Sequence, residues 1–195
     1  MTDAEGGPGV PRRRRADAER SRGALLDAAA ALFVNSGVDA PVRDIAARAG
    51  VGTGTLYRHF PTRADLVVAV YHHQVEVCAE AGPTLLDTSS SPYAALTAWI
   101  NLFVDFLVTK HGLAAALRSD DASLNALHSY FLDRLLPVCA QLVNAAADSG
   151  EIRTGADAYQ LMHGVGNLCI GADTGDRYDA RPLVQLLLAG LHRSQ

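Results

Sequence analysis

Between residues 43 and 63 the chain sets out Arg43, Thr53, Thr55, Tyr57, Arg58, His59 and Arg63. Guanidinium, imidazole and phenol groups donate hydrogen bonds to phosphate oxygens, and a threonine offers a hydroxyl and a methyl that can meet base edges. Four consecutive positive charges, Arg12, Arg13, Arg14 and Arg15, lie upstream. Such a run enters a minor groove, adds salt-dependent attraction to a polyanion, or stands as a solvated tail. No nucleophile motif, P-loop or dinucleotide fingerprint is found in the sequence, so no catalytic residue and no enzyme activity are expected. His72, His73 and Glu76 have helical spacing that could face a metal, but no third ligand follows at a clear spacing. Neither a metal nor a cofactor is expected.

These groups need elements to hold them, and the pattern supplies helices. Residues 1–11 are rich in Gly and Pro and are expected to be disordered, with residues 1–16 forming a basic arm. Helical periodicity begins near Asp17, with Leu25, Ala29, Leu32 and Phe33 on one face and Gly37 as the stop. A short helix over about 41–49 buries Val42, Ile45, Ala46 and Ala49, with Pro41 at its first position. Gly50-Val51-Gly52 makes a turn, and a third helix covers about 53–60. Two short helices joined this way match a helix-turn-helix, whose second helix enters a major groove. Gly50 permits the left-handed backbone of the turn, Val51 plugs the corner, and Leu56 and Phe60 point inward. The small residues Gly52, Thr53 and Gly54 let the helix start come close to a duplex, where its N–H groups suit a phosphate.

Downstream, Thr62-Arg63-Ala64-Asp65 reads as a capping box that opens a long helix, ended at Gly82-Pro83. Ser91 caps a helix over 92–109 that is apolar nearly all round, as in a bundle interior. A short piece near 112–118, a long segment over 122–149 with a kink at Pro137, a helix opened by a capping box at Thr154–Asp157 and running to about Gly171, and a last helix over 180–192 complete the pattern. The fold class is all-α, with a head over 17–66 and a body over 67–195.

The charge balance is uneven. The net charge is −4, yet residues 1–66 hold ten Arg against eight carboxylates, while the rest holds seven basic and thirteen acidic residues. The basic part is the one suited to a polyanion. Without an apolar stretch of about 18 residues or a secretory leader, no membrane role is expected and the location is cytoplasmic. Cys78, Cys139 and Cys169 are too scattered for a metal motif and read as buried reduced thiols.

In the body, Trp99, Phe103, Phe106, His128, Phe131, Met162, His163 and Asn167 are candidates to line an apolar pocket with a few polar groups. Residues of this kind at helical spacing are more often ordinary core. Gly164 and Gly166 allow close helix approach. Leu183, Leu186, Leu187 and Leu191 put an apolar side on the last helix, which a second copy would cover.

The runs LLDAAAALFVNSGVDA, VRDIAARAGVGTGTLYRHF and PTRADLVVAVY closely resemble the DNA-binding domain of the TetR/AcrR family of transcriptional regulators over residues 20–70. The resemblance implies a three-helix head that binds double-stranded DNA, a helix connecting it to a ligand-binding body, and a homodimer formed by the last two helices. It implies DNA contacts at Arg43, Thr53, Thr55, Tyr57, His59 and Arg63, with Gly54, Arg58 and the Arg12–Arg15 arm beside them. Where the family often carries Ser or Thr at the start of the second helix, this chain has Ala40-Pro41, so a side-chain cap is missing. The function implied is a repressor released from a palindromic operator by an unknown small molecule. A helical ligand-binding or catalytic protein with a vestigial head, and an architectural DNA binder without a ligand, are the alternatives.

Overall fold

The structure is a computed structural model that describes residues 9–109, 121–170 and 178–193; the side chains of 9–15, 35, 108–109, 121–124 and 170 are outside the description. Eight α-helices make up the described fold: α1 (Gly9–Ser36), α2 (Val42–Arg48), α3 (Thr53–His59), α4 (Arg63–Thr88), α5 (Pro92–Thr109), α6 (Asp121–Asp148), α7 (Ala158–Ile170) and α8 (Ala180–Leu191). A 3-10 turn, Gly37–Asp39, joins α1 to the α2 approach. Among the described residues extended pairing is limited to one isolated bridge between Ile152 and His192. The short piece expected near 112–118 falls outside the described residues. The chain divides into two compact units, Met1–Val70 and Tyr71–Gln195.

In the head, α1, α2 and α3 pack on one another. Leu25, Leu26, Ala29, Phe33, Ile45, Ala46, Leu56 and Phe60 are all buried there. α1 starts at Gly9, not near Asp17, so the expected disordered arm is helical from residue 9 onward. Arg and Ala are strong helix formers, and Pro11 sits in the first turn, where its missing N–H costs little. The turn after α2 is a Schellman motif. Val51 N–H donates to Ala46 O (3.0 Å) and Gly50 N–H to Ala47 O (3.1 Å), with Gly50 at φ +69°. Pro41 is the N-cap of α2 and not its first residue; no side chain caps that end.

The expected box at the start of α4 is formed. Thr62 N–H donates to Asp65 Oδ2 (2.9 Å), and Asp65 N–H donates to Thr62 Oγ1 (3.1 Å). α4 does not end at Gly82-Pro83; it runs through both to Thr88. Gly82 serves tertiary packing instead. A Cβ at Gly82 would overlap Val138 Cγ1 of α6, so the glycine is there for close approach and not as a stop. Gly82→Ala gains helix propensity of about 1 kcal/mol but must displace Val138, an overpacking cost of about 1–3 kcal/mol. We expect net destabilisation in urea unfolding, reversed when Val138→Ala is added. A stabilised single variant would show that the two helices can part freely.

In the body, α5 packs on α6, α7 and α8, and α6 and α8 both pack on α7. Trp99, Ile100, Phe103, Leu135, Leu142, Val165 and Val184 are its buried centre. α6 continues through Pro137. Its cap is a second Schellman turn at Gly150, with Glu151 N–H donating to Ala146 O (3.1 Å). Asp157, not Thr154, caps α7, its Oδ1 accepting from Gln160 N–H (2.8 Å). Ser91 Oγ caps α5 through Ala94 N–H (3.2 Å) as expected, and the Glu151 carboxylate accepts from the Tyr93 N–H of the same end (2.9 Å).

A polar cluster joins α4 to α6. Arg134 Nε donates to Glu76 Oε1 (2.8 Å), and Tyr130 Oη donates to the same carboxylate. The Arg134 hydrogen bond, above all, holds the Glu76 carboxyl well down, at about 2. A carboxyl lowered in the folded state contributes stability that is present above its unfolded value and lost as pH falls through the folded one. We expect wild-type and Glu76→Gln melting temperatures to differ at pH 6 and to converge between about pH 4.5 and pH 2. The pair is partly exposed, so the difference stays small. Parallel curves across that range would show that Glu76 does not carry it.

Candidate nucleic-acid interface and ligand pocket

The seven residues of α3 split cleanly by face. Leu56, and Phe60 just past the helix end, are buried at i, i+4, whereas Thr53, Gly54, Tyr57 and Arg58 are exposed on the other side. Thr55 and His59 are half-buried between the two faces. Tyr57 is 54% exposed, unusual for so large an aromatic. Arg43 on α2 is exposed and held only by a solvent-facing pair with its neighbour Asp44 (3.2 Å). Arg63 behaves differently. Its Nε donates to Val38 O (2.7 Å), its Nη2 reaches the same carbonyl, and its guanidinium lies over the Phe33 ring (5.4 Å). Partial burial lowers its proton affinity from the usual arginine value. Arg63 therefore clamps the corner between α1 and α4. Arg12–Arg15 lie along the first turns of α1, with side chains outside the description.

In the body, α5, α6 and α7 line a solvent-open cavity of about 310 Å³. Phe103, His128, Phe131, Met162, His163 and Asn167, six of the pocket candidates, line it. Leu107, Leu132, Tyr159, Gly166 and Cys169 complete the lining. Trp99 and Phe106 are not in it. Trp99 is fully buried behind Phe103, stacked on it at 5.6 Å, with its indole N–H donating to Cys78 O (2.8 Å). Phe106 is also buried and packs against Tyr71 (5.5 Å) and Phe131 (5.8 Å). Both are core because their rings back the pocket wall rather than form it.

Residues 25–70 match the sequence pattern of bacterial regulatory proteins of the tetR family, and residues 91–193 match the C-terminal domain of SbtR-like transcriptional regulators. The chain belongs to the TetR family. A TetR transcriptional regulator from Streptomyces coelicolor is 34% identical, with a TM-score of 0.76 over 89% of this chain and 99% of its own. A TetR transcription regulatory protein from Mycobacterium vanbaalenii is 31% identical, with a TM-score of 0.71 over 92% of this chain and 99% of its own. An HTH-type transcriptional activator from Mycolicibacterium smegmatis is 35% identical over 100 residues, 51% of this chain and 46% of that protein.

As a TetR-family transcriptional regulator the chain is a DNA-binding protein. Sequence reasoning missed Tyr159, which stacks on His163 with rings 5.9 Å apart and nearly parallel at 10°. Its signal was available: Tyr159, His163 and Asn167 recur at i, i+4 and i+8, and all three are exposed on one face of α7. Leu107, Leu132 and Cys169 carried no comparable signal, since apolar residues at helical spacing look alike whether they meet a ligand or a neighbour. Of the metal reading, Glu76 is taken up by Arg134 and Tyr130, and His72 packs edge-on against Tyr130 (4.3 Å). No described helix is long and apolar enough to cross a membrane.

Proposed function

We propose that this TetR-family regulator is a homodimeric, cytoplasmic repressor that a small molecule releases from a palindromic operator. The observation that carries the DNA-contact reading is Gly54. It sits inside α3, where glycine costs up to about 1 kcal/mol relative to alanine. A Cβ there would meet nothing within 4 Å, so the head itself has no steric need for it. A close external surface supplies the need. The contact set is Thr53, Gly54, Thr55, Tyr57, Arg58 and His59 on α3 with Arg43 on α2, and Arg63 holds the corner that presents them. Threonines read base edges, and the aromatic and basic groups set register on phosphates.

Dimer formation through α7 and α8 is supported by Leu183 and Leu186, 40% and 68% exposed on a helix that buries Ala180, Val184 and Leu188 within its own copy. Gly164 supports it too, since a Cβ there would make only ordinary contact with Leu187. Its small size serves no close contact within one copy. Two heads about 34–36 Å apart would reach successive major grooves. Effector control is supported by the cavity. The coupling equals the effector's differential affinity for the DNA-competent and DNA-released states.

Fluorescence anisotropy on the protein's own upstream DNA, against a scrambled duplex across a salt series, tests the reading. Sequence preference should persist at physiological salt. Gly54→Ala should raise the melting temperature of the head while weakening specific binding; unchanged binding would sink the contact set. Transcription from the upstream promoter should rise in a deletion strain. A fall would assign activation, the sign carried by the Mycolicibacterium smegmatis relative.

A further inference from the structure

The aromatic groups of the cavity are arranged as stacks. Phe103 and Phe131 lie 5.8 Å apart at 24°, and His128 extends that stack on Phe131 at 5.8 Å and 21°. Tyr159 and His163 make a second stack on α7, at 5.9 Å and 10°. Near-parallel planes present ring faces in one orientation, which suits a flat π-system packed face-on or offset. A quaternary ammonium is instead recognised by an aromatic cage built around it. Met162 adds a polarizable sulfur that packs well against ring edges.

Size and polarity narrow the class further. At about 310 Å³ the cavity is about twice the ~150 Å³ that accommodates a benzene. It also sits at the small end of ligand pockets, at about 300 Å³. Two fused rings match that volume, and the aromatic stacks favour them over a flexible acyl chain. The polar groups the lining presents include the Asn167 carboxamide, the His128 and His163 imidazoles and the Tyr159 phenol. An amide both donates and accepts, and a neutral imidazole does the same. A ligand hydroxyl or ring carbonyl pairs with such groups, and His163 and Asn167 stand one turn apart at the exposed rim.

We propose that the cavity takes a bicyclic aromatic compound bearing a hydroxyl or carbonyl, its rings against the Phe103–Phe131–His128 stack and its polar atom at His163 and Asn167. This rests on the reading of the cavity as the effector site. Trp99, the single tryptophan, backs Phe103 directly and reports on occupancy through its emission.

The test uses isothermal titration calorimetry on the full chain with 2-naphthol, naphthalene, choline and decanoate, Trp99 emission being followed in parallel. 2-Naphthol is expected to bind with a dissociation constant on the order of 10 µM and to change Trp99 emission. Naphthalene should bind about tenfold more weakly, and choline and decanoate at least about a hundredfold more weakly. Asn167→Leu and His163→Leu alter exposed residues and should leave folding intact; each should narrow the gap between 2-naphthol and naphthalene. Binding of choline or decanoate in preference to 2-naphthol overturns the ligand class and leaves the effector pocket standing. No heat from any probe overturns the class. If 2-naphthol binds as expected yet never loosens the operator complex, the ligand class stands and the effector reading falls.

Discussion

Trp99→Ala will lower the stability of the body by about 3–5 kcal/mol, measured by urea unfolding with far-ultraviolet circular dichroism. Trp99 has no exposed surface, stacks on Phe103 at 11° between planes, and donates its indole N–H to Cys78 O on α4. Removing it leaves the largest void a single substitution can make in this chain, between α4 and α5. Closely packed helices collapse only partly into such a void. Trp99→Phe separates the two contributions. It keeps most of the ring stack and removes the donor, so its cost should be nearer 1–2 kcal/mol. A Trp99→Ala loss below about 1 kcal/mol would mean that the helices close over the gap, and that the wall behind the pocket is softer than its burial indicates. Because Phe103 lines the cavity and leans on Trp99, the alanine variant should also bind pocket ligands more weakly.

The second large effect separates two residues that sequence reasoning placed in one class. Tyr57→Ala is expected to weaken operator binding by about tenfold, the loss of one positioned contact, with the melting temperature unchanged because the ring is exposed. Arg63→Ala is expected to abolish binding by another route. It removes a charged donor that bonds Val38 O and a cation lying over Phe33, together about 2–3 kcal/mol of head stability. Lysine at position 63 should not restore it, since a point ammonium cannot reproduce the planar fork. Calorimetry of both variants, beside anisotropy on the operator, separates the two routes. If Arg63→Ala melts like wild type and binds less tightly, the guanidinium faces DNA after all.

The head was legible because its signals are local. A glycine at positive φ after α2, an apolar residue at the corner and a reciprocal Thr62–Asp65 cap are each written within a few residues of one another. The start of α1 was misread because Gly and Pro were weighed above the helix-forming arginines that follow. The continuation of α4 through Gly82 and Pro83 was hidden for a different reason. What Gly82 makes room for is Val138, 56 positions downstream, and no window around Gly82 contains it. Arg63 illustrates the same limit at a site. Its spacing fits a phosphate contact, but its partner carbonyl at Val38 is fixed by the fold. In the body the pocket could be drawn from aromatic and histidine positions, yet Trp99 and Phe106 had the same signature and proved to be scaffolding.

The three cysteines give the body a built-in stopwatch. Cys78, Cys139 and Cys169 lie on α4, α6 and α7, each buried, and burial pushes the Cys78 and Cys139 thiols up to about 12. Cys78 and Cys139 are neither ionised nor reachable while their helices stay seated. Alkylation by a disulfide or maleimide reagent therefore waits for each helix to lift, and its rate at each position times that helix's excursions. A ligand that fills the cavity should slow the Cys169 clock first, since that residue lines the pocket.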